Sequence, residues 1–507
     1  MYKKEEDNSF YDKKNELKPK RKFSFFLIFS VLFIICFLFN YVLYPIVIYN
    51  MDDWSFLFFH RLPIPLWGAW NPTRVLPELL MPWTAWLSVK LIYPFTHELI
   101  GAIEIGMAAT VSFFVTIYAA LFCRMMRKKY DVDKWHSFGI MMIFLLLHLL
   151  VFRSKTQGND HLLAGYYDAT TYFFYLIPAL WNASLVLYLI SERYFITRQE
   201  KPIVIRLLVL IACYMAILSN LYQSIILVAY TFADLLYGLL GRNRTFSFKS
   251  YIAQELILLF WLVAMIFEFF GGRAASLTDQ TFNLDFLKTA KILLNRLSMM
   301  NSGFIILFAA AIVGCVFRIY KRIKNEQEDY NILREILCYL FLGIVILFYE
   351  LLVCSASRPD YVQRGDVLIS AFFYIILFMC TTGATSLQKH KKTNIFIPVI
   401  VVFCMIQTLS NGNIYLNRTN SRVAPETARA ITKDIVTQMQ EANEKETCDT
   451  ILVPKYATAD NWPIAYYGAP VVSWVLAYYE LIDSPINIAF EGSYEKNIEF
   501  GIKIPNE

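Results

Sequence analysis

Charge is scarce in this chain. Charged residues make up 17% of 507, while 57% are hydrophobic and 17% aromatic. Soluble proteins carry about a quarter charged residues, so a free-standing soluble fold is excluded. Cysteine is thinly used too. Eight of the nine cysteines fall in or beside apolar stretches, Cys448 stands alone in a polar tail, and no C-x-x-C pair occurs. That excludes a disulfide framework or a thiolate zinc site. Also missing are a Walker-type phosphate loop, a dinucleotide-binding glycine fingerprint after a strand, H-E-x-x-H and G-x-S-x-G. These absences remove the recognisable routes to ATP, NAD, zinc-hydrolase and serine-hydrolase chemistry. The balance of 47 basic against 41 acidic residues does not point to nucleic acid, because in such a chain charge is read loop by loop.

What is present is a series of apolar blocks, each long enough for a bilayer core. Eleven spans are predicted, over 23–48, 96–122, 136–152, 169–190, 203–219, 221–240, 251–270, 298–318, 334–354, 366–386 and 395–410. The loops fix their direction. "KKNELKPKRK", "CRMMRKKYDVDKW", "SERYFITRQEK", "GRNRTFSFK", "FRIYKRIKNE" and "LQKHKKT" are basic and alternate with loops that are not. The positive-inside rule then puts the N-terminus in the cytoplasm and the C-terminus outside, as a multi-pass plasma-membrane protein. The first span lacks a small-residue cleavage site and is read as retained. N-x-S/T triplets at Asn182, Asn243 and Asn417 carry no weight, since two are expected in a span or inside. Three parts result: a basic N-terminus over 1–22, a membrane domain over 23–410 with its first external loop at 49–95, and an external α/β subdomain over 411–507.

The external segments hold the candidates. Asp52 and Asp53 follow the first span at once, in "YNMDDWSFLFFHRLP". Farther on, "NPTRVLPELLMPWTAWLSVKL" places Leu76, Leu79, Leu80, Trp83 and Leu87 at helical spacing between tryptophans. That pattern predicts a helix lying in the membrane interface, capped by Asn71 and started by Pro72. It would hold Asp52, Asp53, Arg61 and Arg74 at headgroup depth. The loop 153–168 contributes His161 and Asp168, with Tyr166 and Tyr167 followed by Tyr172. A lone external histidine is most often just solvated, Asp168 doubles as a helix-start charge, and the tyrosines fit either sugar stacking or an aromatic belt. Arg273, Arg358 and Arg364 stand in short external loops where positive charge is under-used. Ordinary Arg–Asp loop pairing would explain any one of them. As a set, their planar donor forks suit a phosphate, and they are expected to share one outer cavity with Arg74 or Arg61.

Glu98, Glu104, Glu268 and Glu350, and His148 with them, fall toward the outer parts of predicted spans, leaving the midplane nearly free of ionisable groups. Ion-coupled transporters place such groups at the midplane, so that class is disfavoured. In the tail, "APETARAITKDIVTQMQEANEK" reads as an amphipathic helix and "DTILVP" as a strand. "YGAPVVSWVLAYYELI" reads as a buried helix and "NIEFGIKIP" as a last strand.

Acids, arginines and aromatics thus gather at the outer face, where a lipid-linked substrate would present its phosphate. Sugar transfer there needs a carboxylate as general base and cations for the departing phosphate. A many-spanning chain with an acidic pair directly after its first span resembles the GT-C superfamily of membrane glycosyltransferases. Asp52 and Asp53 in "NMDDWSF" match its first-loop acids, and "NPTRVLPELLMPWTAWL" matches its juxtamembrane helices. The resemblance is to bacterial members that build or decorate surface polysaccharides. It implies a GT-C-like membrane domain, a polyprenyl-phosphate sugar donor, a glycan or lipid-linked acceptor, and a first-loop acid at the catalytic centre. The hallmark WWDYG stretch of oligosaccharyltransferases is absent, which disfavours peptide acceptors. Asp53 is favoured as base and Asp52 as its partner. Need for a divalent metal is left open. Two other readings stand beside this one: an O-antigen-polymerase- or ligase-like enzyme relying on Arg358 and Arg364, and a lipid or glycan flippase without chemistry.

Overall fold

The computed structural model describes residues 20–48, 50–58, 61–63, 71–152, 162–163, 168–192, 202–240, 248–270, 284–324, 330–388, 396–410, 423–445, 450–455 and 468–502. Apart from a two-stranded sheet in the tail, the architecture is helical. Seven helices are long and apolar enough to cross a membrane: Phe25–Leu43, Leu99–Lys128, Ala169–Glu192, Tyr251–Phe270, Ser302–Ile323, Tyr330–Ala356 and Gly365–Thr385. Four shorter apolar helices, Lys134–Leu150, Ile203–Ile217, Ile225–Leu239 and Phe396–Leu409, occupy the other predicted span positions. Each falls short of the roughly 20 residues that span a bilayer core untilted.

We label the elements used below. α1 is Lys20–Leu38, α2 is Met51–Phe58 and α3 is Val75–Leu91. α4 is Leu99–Lys128 and α5 is Ala169–Glu192, which contains a π turn at Tyr172–Leu176. α6 is Tyr330–Ala356 and α7 is Gly365–Gln388. In the tail, α8 is Pro425–Lys445, β1 is Thr450–Pro454, α9 is Ala469–Tyr478 and β2 is Ala489–Ser493.

Burial sorts the spans into centre and edge. In Gly365–Thr385, 94% of the apolar window is buried, against 11% for Phe25–Leu43. α7 is therefore a central post, packed on α6 and on Ser302–Ile323. α1 is peripheral, with Phe26, Ile35 and Leu38 exposed as lipid-facing side chains would be. Sequence-distant ion pairs tie one end of the bundle together. Lys128 pairs with Glu192 at 2.7 Å and Lys129 with Glu335 at 2.8 Å. Those two pairs join the end of α4 to the end of α5 and the start of α6. Arg127, Lys128 and Lys129, from one of the loops that the charge rule assigns to the cytoplasm, lie at this end.

The opposite end carries the acidic pair. Here α3 lies across the bundle rather than along it. Arg74, just before the helix, sits 5.3 Å from the Phe174 ring of α5. Near its far end, the Ser88 hydroxyl would lie 1.7 Å from a Cβ added to Gly106 of α4. Both contacts fall within about two turns of the starts of their spans, since α4 and α5 begin at Leu99 and Ala169. The close crossing is possible because residue 106 has no side chain. Met81, Ala85 and Val89 face the protein while Trp83, Leu87 and Leu91 are exposed, the arrangement of an interface helix. Asn71 does not cap it. A short 3-10 turn, Pro72–Arg74, precedes the helix, and the Asn71 amide instead reaches the Glu268 carboxylate, with donor distances of 2.9 and 3.1 Å.

The tail forms the two predicted helices and the strand at Thr450–Pro454. The expected last strand is displaced. β2 is Ala489–Ser493, parallel to β1 with Ile451 opposite Phe490. Within "NIEFGIKIP", residues through Glu499 belong to a helix, Tyr494–Glu499. The Ser493 side chain accepts the Glu495 N–H there and caps it, which ends the strand.

Candidate functional site

The acidic helix α2 is only eight residues long, too short to persist alone in water. Its orientation therefore comes from contacts. Adjacent helical residues point about 100° apart, and the two carboxylates divide accordingly. Asp53 is fully buried. One of its oxygens accepts from the Thr170 N–H at 2.7 Å and the Thr170 hydroxyl at 2.6 Å. The other accepts from the Asn50 N–H at 3.2 Å, and the Asn50 side chain accepts back from the Asp53 N–H at 2.9 Å. Asp52 is exposed and has no hydrogen-bond or ion-pair partner among the described residues.

Thr170 belongs to the start of α5, and this segment is the hub of that end of the bundle. Asp168 caps it, accepting from the Thr171 N–H at 2.9 Å and hydroxyl at 2.7 Å. Val47, just before α2, bridges to Asp168 in parallel. Burial pushes the Asp168 carboxyl above the usual carboxylate range, opposed by the Thr171 bonds and by nearby Arg364. Arg364 makes two bonds to Asp366, at 2.9 and 2.5 Å, and its guanidinium stacks 4.5 Å from the Tyr175 ring. Arg74 lies over Phe174, the neighbouring residue, and 6.0 Å from the Phe56 ring of α2. Phe174 and Tyr175 lie within the π turn. Such turns are frequent at functional sites.

Arg61 joins the same group: it donates to Glu78 at 2.8 Å, while Arg74 approaches the other Glu78 oxygen at 3.7 Å. Arg358 stands farther out, exposed, 5.7 Å from the Tyr361 ring, which Arg364 also approaches at 5.0 Å. The structure thus brings Asp53, Asp168, Arg61, Arg74 and Arg364 to one segment, with Arg358 at its margin. His161 and Arg273 lie outside the described residues. Among the described residues, no group of three or more His, Cys, Asp or Glu is disposed to hold a metal ion.

Several participants have no sequence signal. Thr170 is one of two threonines in "DATTYFFY", and only the fold shows which one meets Asp53. Tyr175 looks like any belt aromatic. Glu104 was visible as an acid near a span's outer end. Its partner Arg429 is 325 positions away in the tail. His148, also singled out, is buried against Tyr118 at 3.1 Å and the Phe144 carbonyl at 2.7 Å, away from these groups.

No protein-family model matches the chain, and no curated protein matches it.

Proposed function

We propose that the protein is a membrane glycosyltransferase of GT-C-like type, moving a sugar from a polyprenyl-phosphate donor to a glycan or lipid-linked acceptor at the outer membrane face. The observation that carries this reading is convergence. One segment, Asp168–Leu176, holds Asp53 through Thr170 and stacks two arginines on successive rings, beside the Asp52 carboxylate, which has no hydrogen-bond or ion-pair partner among the described residues.

Burial separates the two acids, and that separation supports a division of roles. Asp53 has its oxygens occupied and orients α2. Asp52, exposed one position away, is the group free to meet an acceptor, so we assign it as the general base in place of Asp53. In the reaction, the acceptor hydroxyl oxygen attacks the anomeric carbon, and its proton passes to the Asp52 carboxylate. The bond from that carbon to the phosphate oxygen breaks, and the phosphate leaves with the electron pair. Arg74, Arg61 and Arg364 are placed to offset the developing charge, with Arg358 at the entrance. Their forked donors and flat stacking faces suit phosphate better than lysine would. α3, lying across the bundle end with Trp83 outward, supports a position for these arginines near headgroup height, where a polyprenyl phosphate would lie.

The test is transfer by purified protein in nanodiscs, using a panel of polyprenyl-phosphate hexoses and pentoses and reading polyprenyl-phosphate release. Wild type should release it and Asp52→Asn should be slower by roughly 10²–10⁴-fold, the usual share of general base catalysis. Equal release by the two proteins would remove the catalytic assignment. No release from any donor, with lipid movement across the bilayer instead, would favour a flippase.

A further inference from the structure

The acid-bearing segment is held at both ends by the C-terminal tail. At its start, both backbone groups of Ile48 are engaged. The Ile48 N–H donates to Glu104 at 3.3 Å, and the Ile48 carbonyl accepts from the Thr432 hydroxyl of α8 at 2.9 Å. Glu104 is fully buried, and its second oxygen accepts from Arg429 at 2.5 Å. Arg429 and Thr432 are three residues apart, hence on one face of α8. The Arg429 guanidinium also lies 5.9 Å from the Tyr41 ring of the first span. At the segment's end, the Leu57 carbonyl accepts from the Tyr479 hydroxyl at 2.8 Å. That carbonyl is one of those a helix leaves unfilled at its C-terminus. Tyr478 packs on Phe58 with ring centres 6.3 Å apart, and α9 lies against α2.

We propose that the tail is a positioning clamp for α2, with Arg429, Thr432 and Tyr479 fixing where the Asp52 carboxylate stands. For its catalytic consequence this rests on the glycosyl-transfer reading; the clamp itself does not. The physical reason is the shortness of α2. An eight-residue helix cannot hold its own position, and Asp53 ties it to the span bundle by a side-chain charge. The tail holds the backbone before the helix at residue 48 and near its end at residue 57, and among the described residues it makes no hydrogen bond or ion pair with Asp52. These are positioning residues: they act through α2.

The experiment uses the full-length protein in nanodiscs and two readouts. The variants are Thr432→Val, Tyr479→Phe and their combination, each removing only a hydroxyl. Arg429→Gln and Arg429→Lys are added, the lysine variant keeping the charge on Glu104. Lys445→Gln, at the exposed far end of α8, is the control. Amide hydrogen exchange over residues 50–58 should be about fivefold faster in each single hydroxyl variant, the worth of one ordinary hydrogen bond. It should be faster still in the combination and unchanged in the control. Transfer should show kcat lowered about 10- to 100-fold in the combination, since small misplacement of a reacting group has that effect. Donor KM should stay within about twofold, and Arg429→Lys should retain more activity than Arg429→Gln. Wild-type exchange over 50–58 in the combined variant overturns the clamp. Faster exchange with unchanged kcat overturns the positioning role. If wild type transfers no sugar while exchange responds as expected, the clamp stands and the glycosyltransferase reading falls.

Discussion

Asp52 and Asp53 are neighbours in sequence, and the structure gives them opposite responses to mutation. Asp53 accepts three hydrogen bonds at a fully buried position, two from Thr170 and one from the Asn50 N–H. Asp53→Ala leaves two backbone N–H groups and a hydroxyl without their acceptor. A buried donor left unsatisfied costs about 1–3 kcal/mol, so with relaxation and water entry a loss of about 2–5 kcal/mol is expected. Asp53→Asn keeps the shape and one acceptor oxygen. Turned so that this oxygen faces Thr170, it sacrifices only the longest bond, to Asn50, for a loss of about 1–2 kcal/mol. Asp52→Asn changes an exposed side chain without a partner among the described residues and should stay within about 0.5 kcal/mol. A thiol-reactive dye can follow unfolding, because the eight described cysteines are free and buried or half-buried. In melting experiments on nanodisc protein, the order of stability should be wild type equal to Asp52→Asn, then Asp53→Asn, then Asp53→Ala. Transfer activity should follow another order, with Asp52→Asn the least active of the folded variants. If Asp52→Asn melts as early as Asp53→Ala, or Asp53→Ala melts with wild type, the division of roles is wrong.

Arg364→Lys removes a two-pronged bond to Asp366 and the stacking on Tyr175; release of polyprenyl phosphate should slow about tenfold or more even though the charge remains, and wild-type turnover would dismiss the arginine's part. Gly106→Val should destabilise by about 1–3 kcal/mol through overpacking, because a Cβ there would lie 1.7 Å from the Ser88 hydroxyl, and adding Ser88→Gly should restore part of the melting temperature. Cys448 should react with a membrane-impermeant thiol reagent in intact cells, whereas labelling only after permeabilisation would reverse the orientation of the chain. Lys496→Met should loosen the tail, since Lys496 bonds Asp434 at 2.9 Å and pairs with Glu499 at 3.0 Å. These partners outweigh burial and hold its ammonium pKa above the ordinary lysine value. The stabilisation is present at neutral pH and is lost only as pH rises through that raised value, so the variant's deficit should be constant between pH 6 and about 9.

The spans were legible because lipid demands long apolar stretches, and every predicted span coincides with an apolar helix. The helix Val75–Leu91 was legible from its apolar spacing, the tail helices from their periodicity. What could not be read was the inward turn of Asp53: two acids at the start of an eight-residue helix carry no phase until something packs on it. The threonine at 170 and the arginine at 429 were equally silent, since both meet their partners only through folding. The misplaced last strand has a local cause. "NIEFGIKIP" alternates like a strand, but a serine in capping position commits residues after 493 to a helix.

The bond between Tyr479 and Leu57 joins positions 422 residues apart, and that distance has a meaning in time. At 5–20 residues per second of synthesis, roughly 20–80 s separate the emergence of the acidic helix from that of the hydroxyl that fixes its end. The helix is among the first external elements made and among the last secured. Throughout that interval its end carbonyl lacks the tyrosine hydroxyl that fills it in the finished fold. A nascent chain in this state is competent to insert and not yet to act. Completion of the tail is thus a natural checkpoint, and a chain halted after residue 410 would keep its apolar helices but lack the tail's hydrogen bonds to residues 48 and 57.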